Sequence, residues 1–237
     1  MNEAQTEIKE EKAKYFTRAE LILWISSLLA ITVSFLIFDR SGWLETIASL
    51  IGATSLILCA KGNPLGQALI IIFSSIYGYI SYTAAYYGEM LTYVGMTLPM
   101  AVFALISWLS HPYAGKRSEV EVSRLGKREV FFMVPLTLAV TALFYFILDY
   151  FNTASLLVST LSVLTSFVAV YLTFRRSPYF ALAYALNDLV LIVLWSIATF
   201  SDVSYISVLV CFVTFLFNDI YSLVSWKRME KRQKAEN

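Results

Sequence analysis

Apolar and polar positions alternate along this chain in long blocks. Apolar runs cover about Glu20–Phe38, Leu44–Ala60, Pro64–Tyr86, Met90–Leu109, Glu129–Leu148, Ala154–Phe174, Pro178–Thr199 and Val203–Trp226. Each is close to the ~20 residues needed to cross ~30 Å of hydrocarbon. The runs are apolar all round, with no polar face at helical period, so the pattern predicts membrane helices rather than a soluble helical core. The expected fold class is an all-α integral membrane protein with eight transmembrane helices.

Composition sharpens this picture. The 237 residues are 58% hydrophobic and 15% charged, with a mean hydropathy of +0.67. No Lys or Arg falls inside a run. With a cytoplasmic amino terminus, eight crossings put Lys61, the cluster Lys116 to Arg128, Arg175, Arg176 and both basic ends on one side. Only Arg40 falls on the other. That asymmetry predicts both termini in the cytoplasm of a plasma or inner membrane. The cations flank membrane spans, so they do not form a nucleic-acid surface. No secretory signal peptide is visible. Cys59 and Cys211 lie apart in apolar runs and His111 is the only histidine, so no metal centre or disulfide is expected. Walker, nucleophile-elbow and HExxH patterns are absent, so neither an enzyme nor a cofactor is expected.

An internal duplication organises the chain. Lys61-Gly62-Asn63-Pro64 opens the third run and Arg175-Arg176-Ser177-Pro178 the seventh. Phe103 to Trp108 closes the fourth run, and Tyr221 to Trp226 closes the eighth with the same Ser-Trp ending. The expected layout begins with a cytoplasmic tail (1–19) and an extra helix (20–43). A first three-helix repeat (44–109), a cytoplasmic loop (110–128) and a linking helix (129–150) follow. A second repeat (151–226) and a basic tail (227–237) complete the chain. One linking helix gives the repeats the same orientation, with a substrate site between them.

Two acids lie well inside runs, Asp188 and Asp219, each preceded by an asparagine. At about 1.5 Å per residue, Asp188 sits near the midplane and Asp219 nearer the cytoplasm. A carboxyl at that depth marks a substrate or ion pathway unless it ties helices together. Tyr184, Asp188 and Trp195 share one stripe, offering a phenol, an acceptor and an indole. Cys211, Thr214, Asn218, Tyr221 and Ser225 share a face of the last run. Gln67, Ser74, Gly78 and Ser81 share a face of the third, with Ser74 the counterpart of Asp188. Ser155, Ser159, Ser162 and Ser166 read as a packing ladder. Tyr86, Tyr87, Trp43, Trp108 and Trp226 read as interface anchors. Pro99 should kink the fourth run.

Several scattered positions carry a family resemblance. Lys61-Gly-Asn-Pro64-Leu-Gly66, Tyr77, Tyr87-Gly88-Glu89, Trp108, and Asn218-Asp219-Ile-Tyr221 before Trp226 resemble the PnuC-type vitamin transporters over about Leu44 to Trp226. The resemblance implies a SWEET-like arrangement of three, one and three helices. It also implies facilitated diffusion of nicotinamide riboside by a homotrimer, with phosphorylation trapping the substrate inside. The family's W-x-x-W-x-x-x-[N/D] frame reads Ala181-x-x-Tyr184-x-x-x-Asp188 here, with alanine and tyrosine in place of the ring-stacking tryptophans. That leaves room for a deoxyribonucleoside or thiamine. The expected substrate site is Asp188, Asn187, Tyr184, Trp195, Gln67, Ser74, Tyr77, Asn218 and Tyr221, in a lipid-embedded transporter working by alternating access. Rival classes are a proton-coupled carrier using Asp188 and a non-transporting membrane receptor.

Overall fold

A computed structural model describes residues 15–83 and 87–236. Tyr86 and the polar segment from Asn2 to Lys14 lie outside the described residues. The order is α1 (Arg18–Phe38), α2 (Trp43–Ala60), α3 (Leu65–Thr83), α4 (Tyr87–Leu91), a π-turn (Thr92–Thr97), α5 (Leu98–Ser110), β1 (Pro112–Tyr113), β2 (Lys116–Val120), α6 (Lys127–Tyr150), α7 (Leu156–Phe174), α8 (Phe180–Thr199), a short 3₁₀ turn (Val203–Tyr205) and α9 (Ile206–Glu236). Counting α4, the π-turn and α5 as one span, eight helices are long and apolar enough to cross a membrane.

Local chemistry explains the boundaries. Thr17 and Glu20 form a capping box at the start of α1, satisfying two otherwise orphaned N–H groups. Helices α2 and α7 end in the same way. Gly62 N–H donates to Cys59 O at 2.9 Å and Asn63 N–H to Leu58 O at 3.0 Å; Arg176 N–H donates to Thr173 O and Ser177 N–H to Leu172 O, both at 2.9 Å. Both are Schellman caps, which need a left-handed residue at C′. Gly62 supplies it at φ 67°, and Arg176 supplies it at φ 56° despite its side chain. The Arg176 guanidinium holds that conformation through Nε to Glu121 O at 3.1 Å and Nη1 to Ser107 Oγ at 3.0 Å.

The two Ser-Trp endings cross over. Trp108 on α5 donates its indole N–H to Thr173 O at 2.9 Å, and Ser107 Oγ donates to Phe174 O at 2.9 Å. Trp226 on α9 donates to Cys59 O at 2.8 Å, and Ser225 Oγ to Ala60 O at 2.7 Å. The Ser-Trp pair of α5 therefore caps the last carbonyls of α7, and that of α9 the last carbonyls of α2. The two indoles meet with centroids 5.4 Å apart and Phe180 stacked against them. Both are fully buried, so they are not interface anchors. Their N–H groups are taken up inside the protein, whereas Trp43 and Tyr87 are exposed at span ends.

The loop 110–128 is not featureless. Ala114 and Gly115 both take positive φ and turn β1 back onto β2, a type I′ geometry whose twist suits a two-residue hairpin. The exit strand then bridges the two caps, with Val120 N–H donating to Gly62 O and Ser123 N–H to Arg176 O, each at 3.0 Å. The basic tail continues α9 to Glu236 and packs on this hairpin. Gln233 accepts from Val122 N–H at 2.8 Å and donates to Val120 O at 3.0 Å, while Glu230 pairs with Arg124.

Candidate substrate cavity

Among α2, α3, α7, α8 and α9 lies a cavity of about 310 Å³, at the small end of the range for ligand sites. Its floor is Asp188, Asp219 and Tyr184. Its walls are Phe73, Tyr77, Tyr93, Phe212, Phe215 and Trp195, and its rim includes Asp39, Glu45, Ser204 and Tyr205. It runs from mid-bundle towards the end opposite Trp108 and Trp226, where the aromatic pair and the hairpin close the molecule.

Helix periodicity and one backbone irregularity build this site. Tyr184, Asn187, Asp188, Leu191 and Trp195 recur at helical spacing on α8 and all line the cavity. The π-turn before Pro99 widens the fourth span and turns Thr92, Tyr93 and Thr97 inward. Proline lacks the N–H that would bond the carbonyl four residues back, and the wider turn accommodates that loss. Tyr93 stacks on Tyr77 at 5.2 Å, and Tyr77 on Phe73 at 4.7 Å, giving an aromatic wall opposite α8.

Asn187 is held from behind. Its Oδ1 is approached by the hydroxyls of Ser162 at 3.2 Å, Thr165 at 2.8 Å and Ser166 at 3.0 Å. The serine ladder of α7 is therefore not mere packing. Ser159, Ser162 and Ser166 line the cavity, and two of them hold Asn187 in place.

The structure brings together Asp188, Asn187, Tyr184, Trp195 and Tyr77 of the expected residues. The other four lie outside the cavity. Gln67 donates to Cys59 Sγ at 3.3 Å between α2 and α3. Ser74 is fully buried in the helix packing. Asn218 donates to Ser27 Oγ at 2.9 Å and to Thr214 O at 2.8 Å, pinning α1 to α9. Tyr221 donates to Glu20, which also pairs with Lys61 at 3.0 Å. Helical facing alone does not say which neighbour a polar stripe meets.

Residues that spacing did not single out are Glu89, Tyr93, Phe73 and Phe215, while Asp219, the second interior acid of the sequence, also lines the cavity. Glu89 belongs to α4, so the fourth span begins at Tyr87 rather than Met90. Among the described residues the ionisable lining groups are the acids Asp39, Glu45, Glu89, Asp188 and Asp219 and the phenols Tyr77, Tyr93, Tyr184 and Tyr205, with no Lys, Arg or His.

An all-helical bundle with a buried, polar-floored cavity at mid-depth is the architecture of a multi-pass membrane transporter. A family model described as "Nicotinamide mononucleotide transporter" matches residues 42–228, and this chain belongs to that family. It is therefore a transporter and not an enzyme. It is similar to the nicotinamide riboside transporter PnuC of Neisseria mucosa, with 26% identity over 219 residues, 90% of this chain and 83% of that protein. The crystal structure of the vitamin B3 transporter PnuC shares the fold, with a TM-score of 0.78 and 24% identity, covering 92% of this chain and 94% of that one.

Proposed function

We propose that this protein takes up nicotinamide riboside across the plasma membrane by facilitated diffusion, through alternating access at this cavity. The observation that carries the reading is the sign of the lining. Among the described residues the lining carries carboxyl groups and no Lys, Arg or His, and the walls are aromatic. Nicotinamide riboside bears a fixed positive charge on a flat ring. Carboxylates suit the charge, and tyrosine, phenylalanine and indole faces suit a cationic ring. Its carboxamide and ribose hydroxyls find partners in Asn187, Asp188, Ser159 and Ser162. Tyr184, Tyr77 and Trp195 replace the stacking surface that the two missing tryptophans would supply.

The same sign argues against the mononucleotide in the family's description. Its phosphate would meet carboxylates, with no Lys or Arg among the described lining residues to compensate a dianion. The relative named as a nicotinamide riboside transporter supports the same choice.

The reading includes both termini in the cytoplasm, two parallel three-helix repeats joined by α6, and a trimer. Sidedness of the basic residues supports the first and the crossed Ser-Trp bonds support the second. Family resemblance supports the trimer. In that orientation the cavity opens outward, and the Trp108–Trp226 end is the cytoplasmic seal.

The test is counterflow of labelled nicotinamide riboside into proteoliposomes, challenged with unlabelled nicotinamide riboside, nicotinamide mononucleotide, thiamine and deoxyribonucleosides. Only the first should compete strongly. Equal competition by the mononucleotide would overturn the charge argument, and stronger competition by thiamine or a deoxyribonucleoside would reassign the substrate.

A further inference from the structure

Asp219 stands apart from the residues so far given a role in binding. It sits on α9, 2% exposed, and lines the same cavity as Asp188 on α8, itself 4% exposed. Asp188 Oδ2 and Asp219 Oδ1 receive no hydrogen bond from any other described residue.

The nearby cations are engaged elsewhere. Lys61 pairs with Glu20, Arg175 with Glu129, and Arg176 bonds Glu121 O and Ser107. Among the described residues no ion pair reaches either aspartate. A buried charge without a cationic side chain is retained in a membrane protein where a ligand supplies the partner.

We propose that Asp219 acts with Asp188 as one counter-charge, and that this pair makes the cavity select a singly cationic ring over its neutral equivalent. The inference rests on the substrate reading above and adds a specificity residue to it. Asp188 faces the ligand from α8 and Asp219 from α9, so the charge is spread over both helices at the floor. Asp219 is then silent towards ribose or carboxamide and reads only the charge of the ring.

Nicotinamide riboside and its reduced dihydro form separate these features. They differ by one hydride, so shape and hydrogen-bonding groups are nearly shared while the ring charge is lost. Binding of both to the purified full-length protein is measured by calorimetry, and the readout is the ratio of their affinities. Wild type should favour the cation by at least about tenfold. Asp219→Asn leaves the Asp188 carboxylate in place, so it should lower that ratio by about threefold or more while leaving affinity for the dihydro form within about twofold. Asp219→Glu, which keeps the charge, should restore most of the preference.

A ratio unchanged in Asp219→Asn would overturn the proposal, as would wild type binding both forms equally, whether or not any variant folds. An equal loss of both ligands in a folded Asp219→Asn would make the residue a helix tie and would also overturn it. Absence of nicotinamide riboside binding to wild type would instead refute the substrate reading itself.

Discussion

Replacing Trp226 by phenylalanine should loosen one end of the molecule in a measurable way. The indole is fully buried, and its N–H meets Cys59 O at 2.8 Å. Phenylalanine removes that bond and leaves space for the lost ring atoms. The carbonyl is not orphaned, because Gly62 N–H still reaches it at 2.9 Å. The loss is therefore that of one hydrogen bond, about 1 kcal/mol, rather than a fully unsatisfied acceptor. The small void adds about 1 kcal/mol more. A total near 2 kcal/mol is worth roughly 30-fold in the ratio of sealed to open forms. Cys59 reports that ratio, because its thiol is 2% exposed beneath the two indoles and lies outside the cavity lining. In a Cys211→Ser background, maleimide labelling of Cys59 should accelerate by about tenfold or more, with a lowered unfolding temperature. Trp108→Phe should behave alike, because Arg176 N–H likewise shares Thr173 O at 2.9 Å. A folded variant whose Cys59 labels no faster than wild type would refute the seal. A response from only one of the two would refute the equivalence of the halves.

Three further outcomes follow from particular contacts. Gly66→Ala should sharply lower folded yield in a detergent thermal-stability assay, because its Cβ would lie 2.5 Å from Cys59 Sγ and 2.8 Å from the Cys59 amide nitrogen; backbone on α2 cannot step aside. Ser166→Ala should weaken nicotinamide riboside binding several-fold without lowering the unfolding temperature much, because Asn187 keeps the Ser162 and Thr165 hydroxyls; an unchanged affinity would remove the hydroxyls from the site. A single cysteine at Ser118 or Ala235, in a background without Cys59 and Cys211, should react with an impermeant thiol reagent only after permeabilisation. Labelling in intact cells would invert the topology.

The spans were legible because a bilayer demands a nearly unbroken apolar stretch, and few sequences satisfy that by accident. Asp188 was legible because a mid-span carboxyl is so unfavourable. The fourth span was read three residues short, because Tyr87-Gly88-Glu89 looks like a polar turn until α4 carries Glu89 to the cavity. The hairpin escaped notice because its strands are charged and its turn is Ala-Gly, without the usual Asn or Asp. Trp108 and Trp226 resemble interface anchors at span ends, and only the chain packed against them shows that their N–H groups are used internally. Gln67, Ser74, Asn218 and Tyr221 fell on polar stripes as expected, yet those stripes face helix contacts. Spacing defines a helix face, and tertiary packing decides what it meets.

The most direct measurement of the whole account is counterflow of labelled nicotinamide riboside by wild type, Asp188→Ala and Asp188→Asn at matched membrane insertion. Asp188 is buried at the cavity floor with one oxygen free of other donors. The account predicts loss of uptake in Asp188→Ala with the protein still folded. It also predicts partial uptake in Asp188→Asn, whose amide keeps a carbonyl acceptor while losing the charge. Wild-type rate and affinity in Asp188→Ala would contradict it and move the substrate away from this cavity.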